Sequence, residues 1–122
     1  MTTTLITEGH RSLGLETARR LIQAGHTVYA GMRDPSNGDA ARALGARVMQ
    51  LDVTDAQSVQ AAFTELAELD VLVNNAGILG IAYGVEDLYA DAMANVLDTN
   101  VTGIVRVTPA ALPVLGHPGH PL

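Results

Sequence analysis

Residues 3–14 read TTLITEGHRSLG, an apolar run followed by a short polar turn that contains two glycines. The run predicts a strand over residues 3–7, and residues that recur at helical spacing predict a helix over residues 13–24. Gly25 stands where a glycine commonly ends a helix. A strand, a tight turn and a helix N-terminus together bring backbone N–H groups and the positive end of a helix dipole to a place where a phosphate binds. This stretch alone indicates an α/β fold and an anion-binding turn.

Short apolar runs alternate with helix-like stretches along the rest of the chain. They predict further strands over residues 26–30, 47–51 and 71–74, with a helix after each. This alternation is typical of βαβ units around a parallel sheet. With right-handed crossovers, the strand order is 3-2-1-4, which is half of a doubly wound Rossmann-type α/β sheet.

The last third of the chain predicts a helical segment and then an irregular tail. A helical pattern runs over residues 86–115, and Gly103 and Pro109 within it indicate that it is kinked or divided. Residues 116–122 read GHPGHPL, which is incompatible with a regular helix or a central strand. We therefore expect one partial dinucleotide-binding domain over residues 1–115 and an irregular tail after it.

Composition excludes several classes of function. The 122 residues suit a single domain, and a net charge of −6 opposes binding to nucleic acid. The chain has no cysteine, hence no disulfide, no thiolate nucleophile and no cysteine metal site. The start has no secretion signal, and no apolar run approaches the ~18 residues that span a bilayer. We expect no membrane association and a cytoplasmic protein.

Two further site types are rejected on particular residues. All seven Lys or Arg residues are arginine, so every site that needs a lysine is excluded for this chain. A P-loop is one of these sites, and Leu15 and Glu16 stand where that motif needs Lys and Ser or Thr. His117 and His120 lie three residues apart in the tail without a neighbouring carboxylate, a pattern more typical of a disordered end than of a metal site. We expect no metal.

Three later segments make the first turn specific. Asp52-Val53 follow the third predicted strand, Asn74-Asn75-Ala76-Gly77 follow the fourth, and residues 98–103, DTNVTG, lie in the next helical stretch. Together with the turn they resemble the short-chain dehydrogenase/reductase family, whose members place Thr-Gly-x-x-x-Gly-x-Gly at this position. The resemblance covers nearly the whole chain to about residue 115. It implies the first four of the seven strands usual in that family.

The resemblance implies a nicotinamide dinucleotide cofactor and, in the full family architecture, hydride transfer between the nicotinamide and an alcohol/carbonyl pair. Asp52 is implied to accept a hydrogen bond from the adenine amino group, although it also suits a helix entry, for which Thr54 and Asp55 are better placed. The cofactor-binding residues that the resemblance implies are Thr7, Gly9, Arg11, Ser12, Leu13, Gly14, Arg33, Asp52, Val53, Asn75, Ala76 and Gly77.

The turn departs from the family pattern at two positions. Thr7 and Gly14 fit, but Glu8 and Ser12 replace the first two glycines. If the backbone at position 8 needs positive φ, Glu8 stores about 1–3 kcal/mol of strain. Ser12 puts a side chain where the backbone should approach the phosphate, although its hydroxyl could donate a hydrogen bond. Glu8 also brings a carboxylate towards an anionic pyrophosphate. Our hypothesis is that dinucleotide affinity is weakened and that glycine at both positions restores it.

Arg33 bears on the choice between the two nicotinamide cofactors. It follows the second strand, and no acidic residue occupies positions 30–32 to bind two free ribose hydroxyls. Arg33, with Arg11 in the turn as a second partner, suits a 2′-phosphate. The sequence favours NADP(H) over NAD(H). Two solvated surface arginines are the alternative, and Asp34 is an acidic residue one position beyond.

Asn100 matches the helix asparagine that supports a proton relay in the family. The resemblance places the Ser and the Tyr-x-x-x-Lys pair of that relay further along, whereas this chain ends at Leu122 and has no lysine. We therefore expect the chain alone to be inactive, as a truncation, frameshift product or fragment. A non-catalytic dinucleotide-binding or interaction module, pairing with a partner chain or itself through the open fourth strand, and a decayed coding sequence remain the alternatives.

Overall fold

A computed structural model describes residues 2–78 and 89–116 of the chain. Its four strands are β1 (Thr3–Thr7), β2 (Thr27–Met32), β3 (Arg47–Gln50) and β4 (Val71–Val73). The helices are α1 (Ser12–Gln23), α2 (Asp39–Leu44), α3 (Ala56–Glu65), α4 (Ala90–Leu97) and α5 (Gly103–Ala111), with a 3-10 turn at Pro35–Asn37 and a π-helical segment at Asp98–Thr102.

The strands form one parallel sheet in the order β3-β2-β1-β4, as the alternation of strands and helices predicts. Ile6 in the central strand β1 lies opposite Ala30 of β2 on one side and Val73 of β4 on the other. All strands therefore end at the same edge of the sheet. The turn after β1 and the loops after β2 and β4 meet there, which is where open α/β sheets bind their ligands.

Both faces of the sheet are covered, and β1 contributes to both cores. Leu5 and Ile6 are fully buried and point to opposite faces, because side chains alternate along a strand. Leu5 packs in the core beneath α3 and α5, with Val59, Phe63 and Val107 among its members. Ile6 packs in the other core, whose remaining members include residues of α1, α2 and β2. Burial on both faces explains why two consecutive residues of this strand, Leu5 and Ile6, are apolar.

The bounds of several elements differ from the sequence prediction. The second strand continues to Met32 instead of ending at residue 30, and it includes Gly31. The helix after β3 begins later than the Thr54 signal indicates, because the Asp55 side chain caps it by accepting from the Gln57 N–H at 3.0 Å. The helical pattern in the last third is divided, as predicted, by the π-helical segment just before Gly103.

The outer side of β4 is only partly covered by the described residues. Val71 is 42% exposed, and Leu72 and Val73 are half-buried, unlike the fully buried Leu5. After α5 the chain returns to the sheet, and Leu115 forms a parallel bridge with Leu69 just before β4. The predicted tail lies outside the described residues from position 117 onward. No helix in the described ranges has the length and apolar character needed to cross a membrane.

Candidate functional site

The turn between β1 and α1 places both substituted residues in the left-handed backbone region. Glu8 has φ 52° and Ser12 has φ 50°, and they are the only non-glycine residues with positive φ among the described residues. Glycine adopts this conformation without steric cost, whereas an L side chain does not. These are the positions at which the sequence resemblance has glycine. The strain expected from the sequence at Glu8 is therefore present, and Ser12 has the same strained backbone conformation.

Thr7 and Asn75 join this turn to the end of β4. The Thr7 hydroxyl oxygen accepts hydrogen bonds from the backbone N–H groups of Asn75, at 2.9 Å, and of Ala76, at 2.8 Å. The Asn75 side-chain amide donates to the backbone carbonyls of Thr7, at 3.0 Å, and of Glu8, at 3.2 Å. Each bond satisfies a group at the sheet edge that strand pairing leaves free. The two loops are thereby held against each other.

Gly14 and Gly9 are required by close approach. A Cβ at Gly14 would lie 2.5 Å from the Asn75 side-chain nitrogen and 2.6 Å from the Glu8 carbonyl oxygen. A Cβ at Gly9 would lie 3.1 Å from Cβ of Ala30. The missing side chain at Gly14 thus makes room for the Asn75 bridge. Gly9 lets the turn pack closely on β2.

A cleft of about 350 Å³ opens at this edge, and Glu8, Arg11, Ser12, Leu13 and Asn75 are among its lining residues. Within it, the Arg11 guanidinium lies 3.6 Å from the Glu8 carboxylate. The Arg11 side chain is 61% exposed, while that of Glu8 is only 15% exposed. A pyrophosphate in the turn would meet this carboxylate. The turn therefore offers a phosphate cradle in its backbone and an opposing charge in one side chain.

Asp52 and Arg33 lie together beyond the ends of β3 and β2. The Arg33 Nε atom is 3.6 Å from Asp52 Oδ1, which also accepts from the Thr54 hydroxyl at 2.6 Å and the Thr54 N–H at 2.9 Å. Partial burial alone would raise the pKa of Asp52. The two Thr54 hydrogen bonds and the charges of Arg33 and Arg106 outweigh it, and the pKa is held below its ordinary value. Asp52 is thus an ionised acceptor at neutral pH.

Asp34, the acidic residue next to Arg33, has a local role. Its carboxylate accepts from the Ser36 N–H at 3.0 Å and from the Ser36 hydroxyl at 2.7 Å, which caps the 3-10 turn. These hydrogen bonds, the hydroxyl first, lower the pKa of Asp34. A second hollow of about 210 Å³ has Glu8, His10, Arg11, Arg33, Asp34 and Asn37 in its wall. The two arginines predicted for a 2′-phosphate therefore share one cavity.

Asn100 lies in the π-helical segment and binds the loop after β4. Its side-chain oxygen accepts from the Ile78 N–H at 2.7 Å, and its side-chain nitrogen donates to the Ile78 carbonyl at 2.9 Å. A Cβ on Gly77 would lie 3.6 Å from that Asn100 oxygen. π-Helical turns occur often at functional sites. Here the segment aims the amide at the loop, with both ends of the amide engaged.

The remaining predicted site residues differ in exposure. Leu13 is 72% exposed at the start of α1 and lines the larger cleft. Val53 is only 6% exposed, and its Cγ2 would be 2.9 Å from a Cβ on Gly103. Ala76 packs against the core beneath α3 and α5. The structure brings Leu13 to the cleft, while it uses Val53 and Ala76 as packing residues.

Three contributors to the site are absent from the sequence interpretation. His10 lines the smaller hollow, and Ile78 lines both hollows. Arg106 donates to the Val53 and Asp98 carbonyls, each at 3.2 Å, and binds the Asp98 carboxylate at 2.5 Å. Arg106 was the only basic residue in an apolar helix, which is a usable signal. The sequence carries no comparable signal for Ile78.

The model of the short chain dehydrogenase family matches residues 2–120. The chain belongs to the short-chain dehydrogenase family. Among its relatives, 17-beta-hydroxysteroid dehydrogenase type 1 from Homo sapiens is 44% identical in an alignment that covers 92% of this chain and 38% of the human protein.

Solved structures agree with that membership. Serine dehydrogenase from Escherichia coli superposes with a TM-score of 0.84 at 30% identity, covering 91% of this chain and 55% of the other. A variant of actinorhodin polyketide ketoreductase with NADPH gives a TM-score of 0.85 at 29% identity, covering 93% and 47%. The chain thus spans about half of these structures and 38% of the human protein. Its Rossmann-type fold is that of a dinucleotide-binding domain.

Proposed function

We propose that this chain is the NADP(H)-binding N-terminal portion of a short-chain dehydrogenase/reductase. In the full architecture the reaction is hydride transfer between the nicotinamide and an alcohol or carbonyl. For this chain alone we propose cofactor binding without turnover. The cytoplasmic location inferred from the sequence stays a prediction.

One observation carries the choice of NADP(H), namely that Arg11 and Arg33 line the same hollow beside the turn. A 2′-phosphate is a dianion, and guanidinium groups bind it through paired, charge-assisted hydrogen bonds. The acidic residue next to Arg33, Asp34, has one carboxylate oxygen engaged by both the N–H and the hydroxyl of Ser36. In this proposal Asp34 caps the 3-10 turn and does not accept from a ribose hydroxyl. The ketoreductase relative with NADPH supports the same choice.

The residues fit the 2′-phosphate end of NADP(H), near Arg33, better than they fit its pyrophosphate. The backbone turn and the glycine at position 14 leave room for a phosphate at the start of α1. Glu8 opposes it there, because its largely buried carboxylate meets the pyrophosphate in a region of low dielectric. Weak binding, dominated by the end near Arg33, is the outcome that these charges favour. In this proposal Asp52 accepts from the adenine, and Asn75 to Gly77 line the nicotinamide side.

The test compares NADPH and NADH binding to the full chain by isothermal titration calorimetry. We expect Arg33→Ala to weaken NADPH binding by roughly 10- to 100-fold, the value of a charge-assisted hydrogen bond, and to leave NADH unchanged. Arg42→Ala is the matched control, because it removes the same charge from α2, where Arg42 pairs with Asp39. Equal losses for both cofactors would contradict the NADP(H) assignment.

A second candidate function is association with another chain through β4. Val71 is 42% exposed at this edge of the sheet. An open edge with an apolar residue is a template for strand pairing. We expect Val71→Lys to reduce self-association measured by light scattering across protein concentrations. A concentration-independent monomeric mass for the parent chain would reject this candidate.

A further inference from the structure

We propose that His10 makes recognition of a 2′-phosphate depend on pH, so that the preference for NADP(H) over NAD(H) strengthens as the solution becomes more acidic. The inference rests on the proposed function and names a further specificity-determining residue in the same site. It depends on three features of the smaller hollow, which are its position, its net charge and the state of the His10 ring.

His10 has a buried ring nitrogen without a partner. Its Nδ1 atom is inaccessible to solvent and makes no hydrogen bond with any residue in the described ranges. A buried polar nitrogen in this condition is costly, and native proteins usually satisfy it. The ring lies in the turn after β1 and lines the hollow that also contains both candidate arginines. The hydrogen bonding of this ring is therefore incomplete, and the hollow is where a phosphate would lie beside it.

The charged groups that face His10 cancel when the ring is neutral. Glu8 and Asp34 contribute one negative charge each, and Arg11 and Arg33 one positive charge each. Both arginines already face a carboxylate at 3.6 Å, Arg11 that of Glu8 and Arg33 that of Asp52. Each arginine of this wall is thus already opposed by a carboxylate. Protonation of His10 adds one positive charge to the wall.

The direction of the pH dependence follows from this balance. A bound phosphate stabilises the imidazolium form, so binding takes up a proton and affinity falls as the pH rises. Histidine is the side chain whose ordinary titration falls between about pH 5 and 8. The ligand titrates too, since the second proton of a phosphate leaves near pH ~6. That effect has the opposite sign and must be removed by a control.

The experiment measures binding of adenosine 2′,5′-bisphosphate and of adenosine 5′-monophosphate to the 122-residue chain by calorimetry. The two probes differ by the 2′-phosphate alone. His10→Asn is the main variant, because asparagine keeps hydrogen-bonding groups and carries no charge at any pH. His26→Asn is the matched control, since His26 lies outside the hollow and its ring bonds to Thr2. Titration of the ligand is common to all three proteins and cancels between them.

We expect the affinity ratio of bisphosphate to monophosphate in the parent chain to fall roughly five- to tenfold more than in His10→Asn between about pH 5.5 and about pH 8. His26→Asn is expected to follow the parent. Parallel slopes for the parent and His10→Asn would overturn the inference while leaving the NADP(H) proposal intact. A ratio near one at every pH in the parent would overturn both.

A second measurement needs no variant and guards against a misfolded one. Calorimetry of the parent near pH ~7 in buffers of different ionisation enthalpy counts the protons exchanged on binding. Full ionisation of the phosphate releases protons, so a net uptake with the bisphosphate and none with the monophosphate reports a protein group. Net release with the bisphosphate would contradict the role of His10.

Discussion

Replacing Glu8 and Ser12 with glycine is expected to stabilise the fold. Both residues hold a positive φ, 52° and 50°, which costs an L residue about 1–2 kcal/mol. Glycine offsets about 0.4–1 kcal/mol of this gain at each position, because it increases the conformational entropy of the unfolded chain. The exposed Arg11 also loses its contact with Glu8, which is worth about 0.5 kcal/mol or less. The expected net gain for the double variant is about 1 kcal/mol.

Urea denaturation followed by circular dichroism measures this gain. With a slope of about 1.5 kcal/mol per molar urea, the midpoint of the double glycine variant rises by roughly 0.7 M. The matched control is Glu8→Ala with Ser12→Ala, which removes the same polar groups but keeps a Cβ on each strained residue. The alanine pair is expected to gain little or nothing. If it stabilises the chain as much as the glycine pair does, relief of backbone strain is not the cause.

The same two variants separate charge from shape in cofactor binding. The alanine pair removes the carboxylate that faces the pyrophosphate, so we expect it to recover part of the NADPH affinity. The glycine pair also removes both Cβ atoms from the turn and is expected to recover more. Tight NADPH binding by the parent chain, unchanged in both variants, would refute the reasoning about the turn.

Three further variants test the supports of the site. Gly14→Ala is expected to destabilise the fold by about 1–3 kcal/mol, because the added Cβ would lie 2.6 Å from a backbone carbonyl oxygen. At an unhindered helix position the same change stabilises by about 1 kcal/mol, so the sign of the change in urea denaturation distinguishes the two cases. Asn75→Ala removes two donors to the turn and is expected to cost about 2 kcal/mol in the same assay. Asp52 has a lowered pKa in the folded protein, so its ionised form stabilises the fold above about pH 4. This stabilisation is lost as the pH falls through the pKa of the folded state. The melting temperature of Asp52→Asn should therefore fall less on acidification than that of the parent chain.

The strand order and the two cores were predictable because the sequence repeats one simple pattern. Leu5 and Ile6 are consecutive and both fully buried, which happens only when a sheet is covered on both faces. The position of the binding edge then follows from the parallel direction of the strands. The family resemblance added the identities of Thr7, Asn75 and Asp52 at that edge.

Element bounds were less predictable where one residue type serves two purposes. The second strand was predicted to end at residue 30, yet Gly31 lies inside β2, where a Cβ would be 2.9 Å from the Leu51 side chain. Glycine is there for close packing and not for a turn. Thr54 and Asp55 both suit a helix start, and the structure uses Asp55 because the Thr54 hydroxyl donates to Asp52. Local sequence contains both options, and tertiary contacts select one.

The π-helical segment depends on contacts that no local pattern contains. Asn100 reaches the backbone of Ile78, which is 22 residues earlier, with both ends of its amide. Arg106 joins the Asp98 end of the segment to the loop that follows β3 through the Val53 carbonyl. An isolated asparagine in a helix predicts only a local disturbance. Its direction is set by the partners, which become known when the loops are in place.

The fold tolerates the two departures from the family pattern because of where they lie. Thr7 and Gly14 keep the family residues, and with Asn75 they hold the turn against β4 through four hydrogen bonds and one close approach. Glu8 and Ser12 line the cleft, and their side chains coexist with all four of these hydrogen bonds. Their backbone strain is confined to the two residues, whereas a side chain at Gly14 would displace the Asn75 side chain that holds the turn. We therefore expect substitution at the two lining positions to weaken ligand binding before it endangers the fold.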